Sequence, residues 1–170
     1  MDTLSSEELR DFVSTHMQDG AWKVVMQFVA GLLVEKEGHA TDIFSNLLPS
    51  TTFTRKVEIK MDEDSEERSE KLTCWPAFED KALVVKLFNC MYENNTSDQE
   101  VQKKLAKIDC HALDFSECNL SPLDWLALVH AVKYVEGILY FDLYDNNLQS
   151  LGCGLRSCYL ATNTIRVVAN

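Results

Sequence analysis

Two stretches of the chain decide its fold: Cys110–Leu120 (CHALDFSECNL) and Ile138–Leu148 (ILYFDLYDNNL), which align at an offset of 28 residues. Cys110, Leu113, Phe115, Cys118 and Leu120 fall on Ile138, Phe141, Leu143, Asn146 and Leu148. The match extends beyond hydrophobicity, with identities at Asp114/Asp142, Asn119/Asn147, Leu120/Leu148 and Leu123/Leu151. Alternating apolar residues predict a short strand in each copy, and a polar or thiol side chain at the ninth position predicts an inward cap on the turn that follows.

Both copies fit L-x-x-L-x-L-x-x-(N/C)-x-L, the leucine-rich repeat pattern, and their period lies in its usual range. Between the strands, Ser121-Pro122 opens a helix with Trp125, Leu128, Val129 and Val132 on one side. In the second copy Gly152 and Gly154 weaken the equivalent helix by about 1 kcal/mol each. The next strand, Ile165-x-x-Val168, arrives one residue early. An array of this kind is expected to need about three repeats. Two and a fraction therefore imply support from the segment before them or from a longer chain.

That preceding segment reads as helical. Ser5 and Glu8 form a capping box before Leu9, Phe12, Val13 and Met17, and Gly20 ends the helix. From Ala21 to Val34 the chain is apolar nearly all round, which predicts a core helix buried on several sides. A short helix over Thr41–Leu48 stops before Pro49. Asp62–Glu70 carries six acids and one base, the centre of an acidic disordered insert at about 54–74. After it, Pro76 is expected at the first position of a helix that runs to Glu93 with Leu83, Leu87, Cys90 and Met91 on one face. Ser97 and Glu100 form another capping box, with Val101, Leu105 and Ile108 behind it. The expected class is mainly α: a small helical domain over 3–108, then a short α/β leucine-rich repeat solenoid of the ribonuclease-inhibitor type over 109–170, with two repeats and a partial third.

Composition narrows the function. The chain has 170 residues, 46% of them apolar, with only 3 Pro and 6 Gly, which favours a packed core over disorder. Its net charge of -11 repels phosphate backbones and anionic lipid, so neither nucleic acid nor a membrane is an expected partner. The longest uncharged run of the first half, Val24–Val34, is well short of the ~20 residues a membrane span needs. The first residues carry no basic and apolar leader, which predicts a cytoplasmic protein. The six cysteines are then expected as buried free thiols.

Three stretches carry a family resemblance: Trp22–Leu33 (WKVVMQFVAGLL), Lys86–Glu93 (KLFNCMYE) and Leu113–Pro122 (LDFSECNLSP). In this order they resemble the NACHT and leucine-rich repeat receptors of innate immunity, the NLR or NOD-like receptor family. The first two are similar to that family's second helical domain, and the third to the first strand of its repeats. The resemblance implies a regulatory segment that restrains a NACHT module, in the same or a longer chain, and offers a concave surface to protein partners. The family's ATPase needs G-x-x-x-x-G-K-(S/T); this sequence has no Gly-Lys pair, so that activity does not carry over.

No residues here are assigned to catalysis, a cofactor or a metal. His16, His39, His111 and His130 are scattered, and alternation points Cys110 and His111 to opposite faces. Cys153-x4-Cys158 has the wrong spacing for a zinc site. The candidate surface is the concave strand face, with Asp114, Ser116, Tyr140, Asp142 and Tyr144 directed outward as a protein-binding patch. The expected function is that of a non-catalytic regulatory and protein-interaction segment of an NLR-type receptor. The alternative is a free-standing leucine-rich repeat adaptor or inhibitor that holds a basic protein on this acidic face.

Overall fold

The computed structural model describes residues 5–33, 41–59, 68–94, 98–135, 137–146 and 166–168. The expected helical capping box at Ser97, the Gly152–Gly154 helix and Cys153 and Cys158 lie outside them.

Helix α1 (Ser6–His16) starts on the expected capping box: the Glu8 amide donates to Ser5 Oγ at 3.3 Å and the Ser5 amide to Glu8 Oε2 at 2.8 Å. A 3-10 turn (Gly20–Trp22), capped by the Asp19 side chain, leads into α2 (Lys23–Leu32), and α3 (Thr41–Asn46) follows. Strands β1 (Phe53–Ile59) and β2 (Arg68–Trp75) come next, then a 3-10 turn (Phe78–Asp80), α4 (Lys81–Glu93) and α5 (Asp98–Leu105). The chain closes with β3 (Ala112–Asp114), α6 (Pro122–Val132), β4 (Tyr140–Asp142) and β5 (Arg166–Val168). Helix α6 begins where the sequence places it, with Pro122 in its first turn and a Ser121/Asp124 capping box.

All five strands join one sheet in the order β1-β2-β3-β4-β5. The β1/β2 hairpin is antiparallel, from Phe53↔Cys74 to Ile59↔Arg68, and the remaining pairs are parallel. This overturns the expected class. The chain is mixed α/β, its described residues form no solenoid, and its sheet runs unbroken across the boundary placed at 108/109. The physical reason is the hairpin: the expected disordered insert holds β1 and β2 at its two ends. Phe53, Arg55, Val57 and Ile59 alternate, as do Leu72 and Cys74, but the acidic run between them hides that period. Residues 60–67 lie outside the description.

Two further expectations are corrected. The helix placed at Pro76 begins at Lys81, because the chain first completes the 3-10 turn at Phe78–Asp80. Helix α2 is not buried on several sides: it packs on α4 through Met26 and Ala30, and leaves Val24, Val25, Phe28 and Leu32 exposed.

The repeat itself has a direct structural expression. Ala112 pairs with Tyr140, Leu113 with Phe141 and Asp114 with Asp142, the same 28-residue offset that aligns the sequence. Pairing of β4 with β5 (Tyr140↔Arg166) falls two residues short of that period. Leu113, Phe115, Phe141 and Leu143 point into the main core, where Trp75, Phe88, Phe115 and Phe141 form a chain of rings with centroids 6.1–6.4 Å apart. Trp75 is fully buried, and its indole N–H donates to the Pro49 carbonyl at 2.9 Å. A smaller cluster of Leu72, Cys74 and Ala112, flanked by Phe53 and Tyr140, occupies the opposite face.

Asn146 secures the turns after β3 and β4. Its Oδ1 accepts from the amides of Cys118 (3.1 Å) and Leu120 (3.2 Å), and its Nδ2 donates to the carbonyls of Phe115 (2.6 Å) and Leu143 (3.0 Å). An amide is suited to this position because it has both a donor and an acceptor end. Asn146→Ala is expected to lower the unfolding free energy by about 2–4 kcal/mol, since it strands several buried backbone groups at once. Urea denaturation measures this, and an effect within about 0.5 kcal/mol would contradict the assigned role.

Candidate functional site

Strand alternation places Ala112 and Asp114 of β3, and Tyr140 and Asp142 of β4, on the face opposite the main core. The β1/β2 hairpin continues the sheet beside β3, and on this face Phe53 and Tyr140 pack against Leu72, Cys74 and Ala112. Arg55 extends from β1 so that its Nη1 lies 2.8 Å from Asp142 Oδ2 and 3.6 Å from Asp114 Oδ2.

On the other side of Asp114 is Lys81, the first residue of α4. Its ammonium donates to Asp114 Oδ1 at 2.6 Å, to Ser116 Oγ at 2.9 Å and to the Ser116 carbonyl at 3.2 Å. Three donors thus meet three acceptors, which satisfies the group fully. Ser116 relays the contact: its hydroxyl donates to Asp114 Oδ1 at 2.7 Å and its amide to the same atom at 3.1 Å. Asp142 repeats the local motif, with its Oδ1 accepting from the Tyr144 amide at 3.0 Å.

Burial alone would raise the Asp114 pKa. The hydrogen bonds from Lys81 and Ser116, together with the Lys81 charge, outweigh it and hold the carboxyl below its ordinary value. Asp124, at the start of α6, behaves in the same way. Burial again opposes ionisation, but Lys23 (2.8 Å), the Ser121 hydroxyl (2.6 Å) and the Asn89 amide (2.6 Å) lower its pKa.

The expected outward patch is therefore corrected in part. Asp114, Ser116 and Asp142 do converge, but Asp114 is buried and paired within the chain. Tyr140 is half-buried against the hairpin cluster. Tyr144, at 52% exposure, is the predicted residue that most plainly faces solvent. Arg55 and Lys81 escaped the sequence reading. The alternation through Phe53–Ile59 was the available signal for Arg55, whereas only the three-dimensional closure of α4 on β3 brings Lys81 to Asp114.

The other candidates resolve into packing. His16 stacks on Trp22 at 4.3 Å, and His130 meets Tyr92 and Tyr134 edge-on. His39 lies outside the described residues. Burial pushes the thiols of Cys90 and Cys110 up to about 12 and that of Cys118 up to about 11, far from a nucleophile's range at neutral pH. Among the described residues no group of three or more His, Cys, Asp or Glu is placed to hold a metal, and no helix is long and apolar enough to cross a membrane.

Lys81→Met is expected to cost about 3–5 kcal/mol, because it leaves the Asp114 carboxylate buried without its countercharge. Arg55→Ala, at a half-exposed pair, should cost less than about 1 kcal/mol. The pH dependence follows from the lowered Asp114 and Asp124 values: their contribution is complete above the unfolded carboxyl pKa of about 3.9 and is lost as pH falls through the folded values. In Lys81→Met burial is opposed only by Ser116 and Arg55, so the Asp114 pKa moves up from its value in the parent chain and the stability gap narrows on acidification. Urea melts from neutral pH down to about pH 3 test this, and a pH-independent gap would contradict the pairing.

The chain matches no family model, no curated protein and no solved structure.

Proposed function

We propose that this chain is a non-catalytic regulatory and protein-interaction segment of an NLR-type innate immune receptor, and that it binds its protein partner on the β3/β4 face beside the hairpin. The observation that carries this reading is the equivalence of the two sequence copies in space. Strands 28 residues apart pair in register, each Asp on them accepts the amide two residues ahead, and Asn146 ties their turns together. Such a frame fixes the positions of its outward side chains.

Two side chains on that frame are of the types enriched at binding hot spots. Arg55, half exposed, is paired with the Asp142 carboxylate, and Tyr144, also half exposed, follows two residues on with its backbone amide donating to the same carboxylate. The sequence runs Trp22–Leu33 and Lys86–Glu93 add the resemblance that suggests a NACHT module as the partner. The alternative, capture of a basic protein on an acidic patch, loses its electrostatic basis. Arg55 and Lys81 already neutralise Asp114 and Asp142 from within the chain.

The test is binding to a separately expressed NACHT module of an NLR-type receptor, followed by calorimetry and by the module's rate of ATP hydrolysis. The chain is expected to bind and to slow hydrolysis. The double variant Arg55→Ala/Tyr144→Ala should raise Kd by about tenfold or more while the melting temperature changes little. Absence of binding overturns the reading, and unchanged affinity in the double variant overturns this surface.

A further inference from the structure

A cleft of about 440 Å³ lies between the first turns of α4, the start of α2 and the turn that follows β3. Lys81, Ala82, Val85 and Lys86 line it from α4, Lys23 lines it from α2, and Ser116 to Asn119 form the opposite wall. Its volume is that of a small-molecule site.

Three ammonium groups enter the cleft, and they differ in what they are bound to. Lys81 has all three N–H donors engaged by Asp114 and Ser116. Lys23 directs one donor to Asp124 at 2.8 Å and keeps two. Lys86 gives two donors to the Met17 and Gln18 carbonyls, at 3.3 and 3.0 Å, and keeps one. Among the described residues no carboxylate stands within ion-pair distance of it. Burial holds the Lys86 ammonium below its ordinary pKa; Asp19 pulls the other way, and the nearby Lys23 adds to the depression. A partly desolvated cation without a counter-anion, beside a second cation with donors left over, is the electrostatic complement of a carboxylate.

The rest of the cleft fixes what carries that carboxylate. Lys86 stands about 7.5 Å further along the α4 axis than Lys81. Phe78 and Glu79 precede the helix, so the free donors and the aromatic ring mark opposite ends. Ala82 and Val85 form an apolar floor between them, and Phe78, at 74% exposure, continues it. Glu79 and Glu117 are exposed and have no ion pair among the described residues, so a second negative charge on a ligand would meet repulsion.

We propose that this cleft binds an organic monocarboxylate, its carboxylate between Lys23 and Lys86 and its apolar body along Ala82 and Val85 toward Phe78. The donors select the anion, the floor selects an apolar body, and the two glutamates exclude dianions such as phosphate monoesters. The site is distinct from the β3/β4 face and stands whether or not that face binds a NACHT module.

Calorimetric titration of the full chain with 4-phenylbutyrate tests this, beside probes in which the same phenylbutyl body carries an alcohol, an amine or a phosphate monoester. The carboxylate is expected to bind at least about tenfold more tightly than each of the others. Lys86→Met should weaken it by at least about tenfold and leave the alcohol unchanged. Ala82→Trp, at an exposed helical position, fills the cleft without altering a charge and should abolish binding with unchanged circular dichroism. It decides the matter if Lys86→Met does not fold. Tyr144→Ala should leave the affinity as it is. No binding of 4-phenylbutyrate, equal affinity for the alcohol, or binding that survives Ala82→Trp overturns the proposal.

Discussion

A carboxylate buried in a β-strand is stable only when its charge is met where it stands, and Asp114 sets that requirement for the rest of the molecule. Lys81 meets it from the first residue of α4, Ser116 from the turn after β3, and Arg55 from the hairpin at the edge of the sheet. Three segments distant in sequence are thereby fixed to one oxygen pair. Apolar packing could hold α4 against the sheet in several slightly different positions. A fully satisfied ion pair accepts only one, so its value lies in the uniqueness of the arrangement as much as in its energy.

Asp124 performs a parallel service between helices. Its Oδ1 accepts from both Lys23 of α2 and Asn89 of α4 while its Oδ2 accepts from Ser121, and so the start of α6 is held in register with the other two helices. The same side chain completes a capping box, so a local rule of helix initiation and a long-range tie share one residue. The two acids are ten residues apart in sequence and together connect the helical layer to the strand layer.

The parts legible in the sequence were those whose signal is local or repeated. The offset relating Leu113 to Phe141 became a strand register, and Ser5/Glu8 and Ser121/Asp124 became real caps. The hairpin was hidden because the acids around Asp62–Glu67 dominate the composition of a segment whose ends alternate in the manner of strands. The reading of α2 failed for another reason. An all-round apolar helix tells that its faces avoid water, but not which of them the same chain covers, and Phe28 and Leu32 lie on the side it does not. The candidate site was half legible: alternation put Asp114 and Asp142 on one face, yet no sequence rule announces that Arg55 and Lys81 come to meet them.

The position of the hairpin gives the sheet a direction of growth. Strand β2 occupies the edge of β3 that a further parallel unit would need, and pairs on its other side with an antiparallel strand, β1. At that end the parallel ladder is closed, because the next strand has reversed its sense and carries Arg55 and Lys56, charged side chains of the kind that discourage edge-to-edge pairing. Among the described strands only β5 leaves a parallel edge open, so further parallel units would lengthen the sheet at that end and leave the hairpin end unchanged.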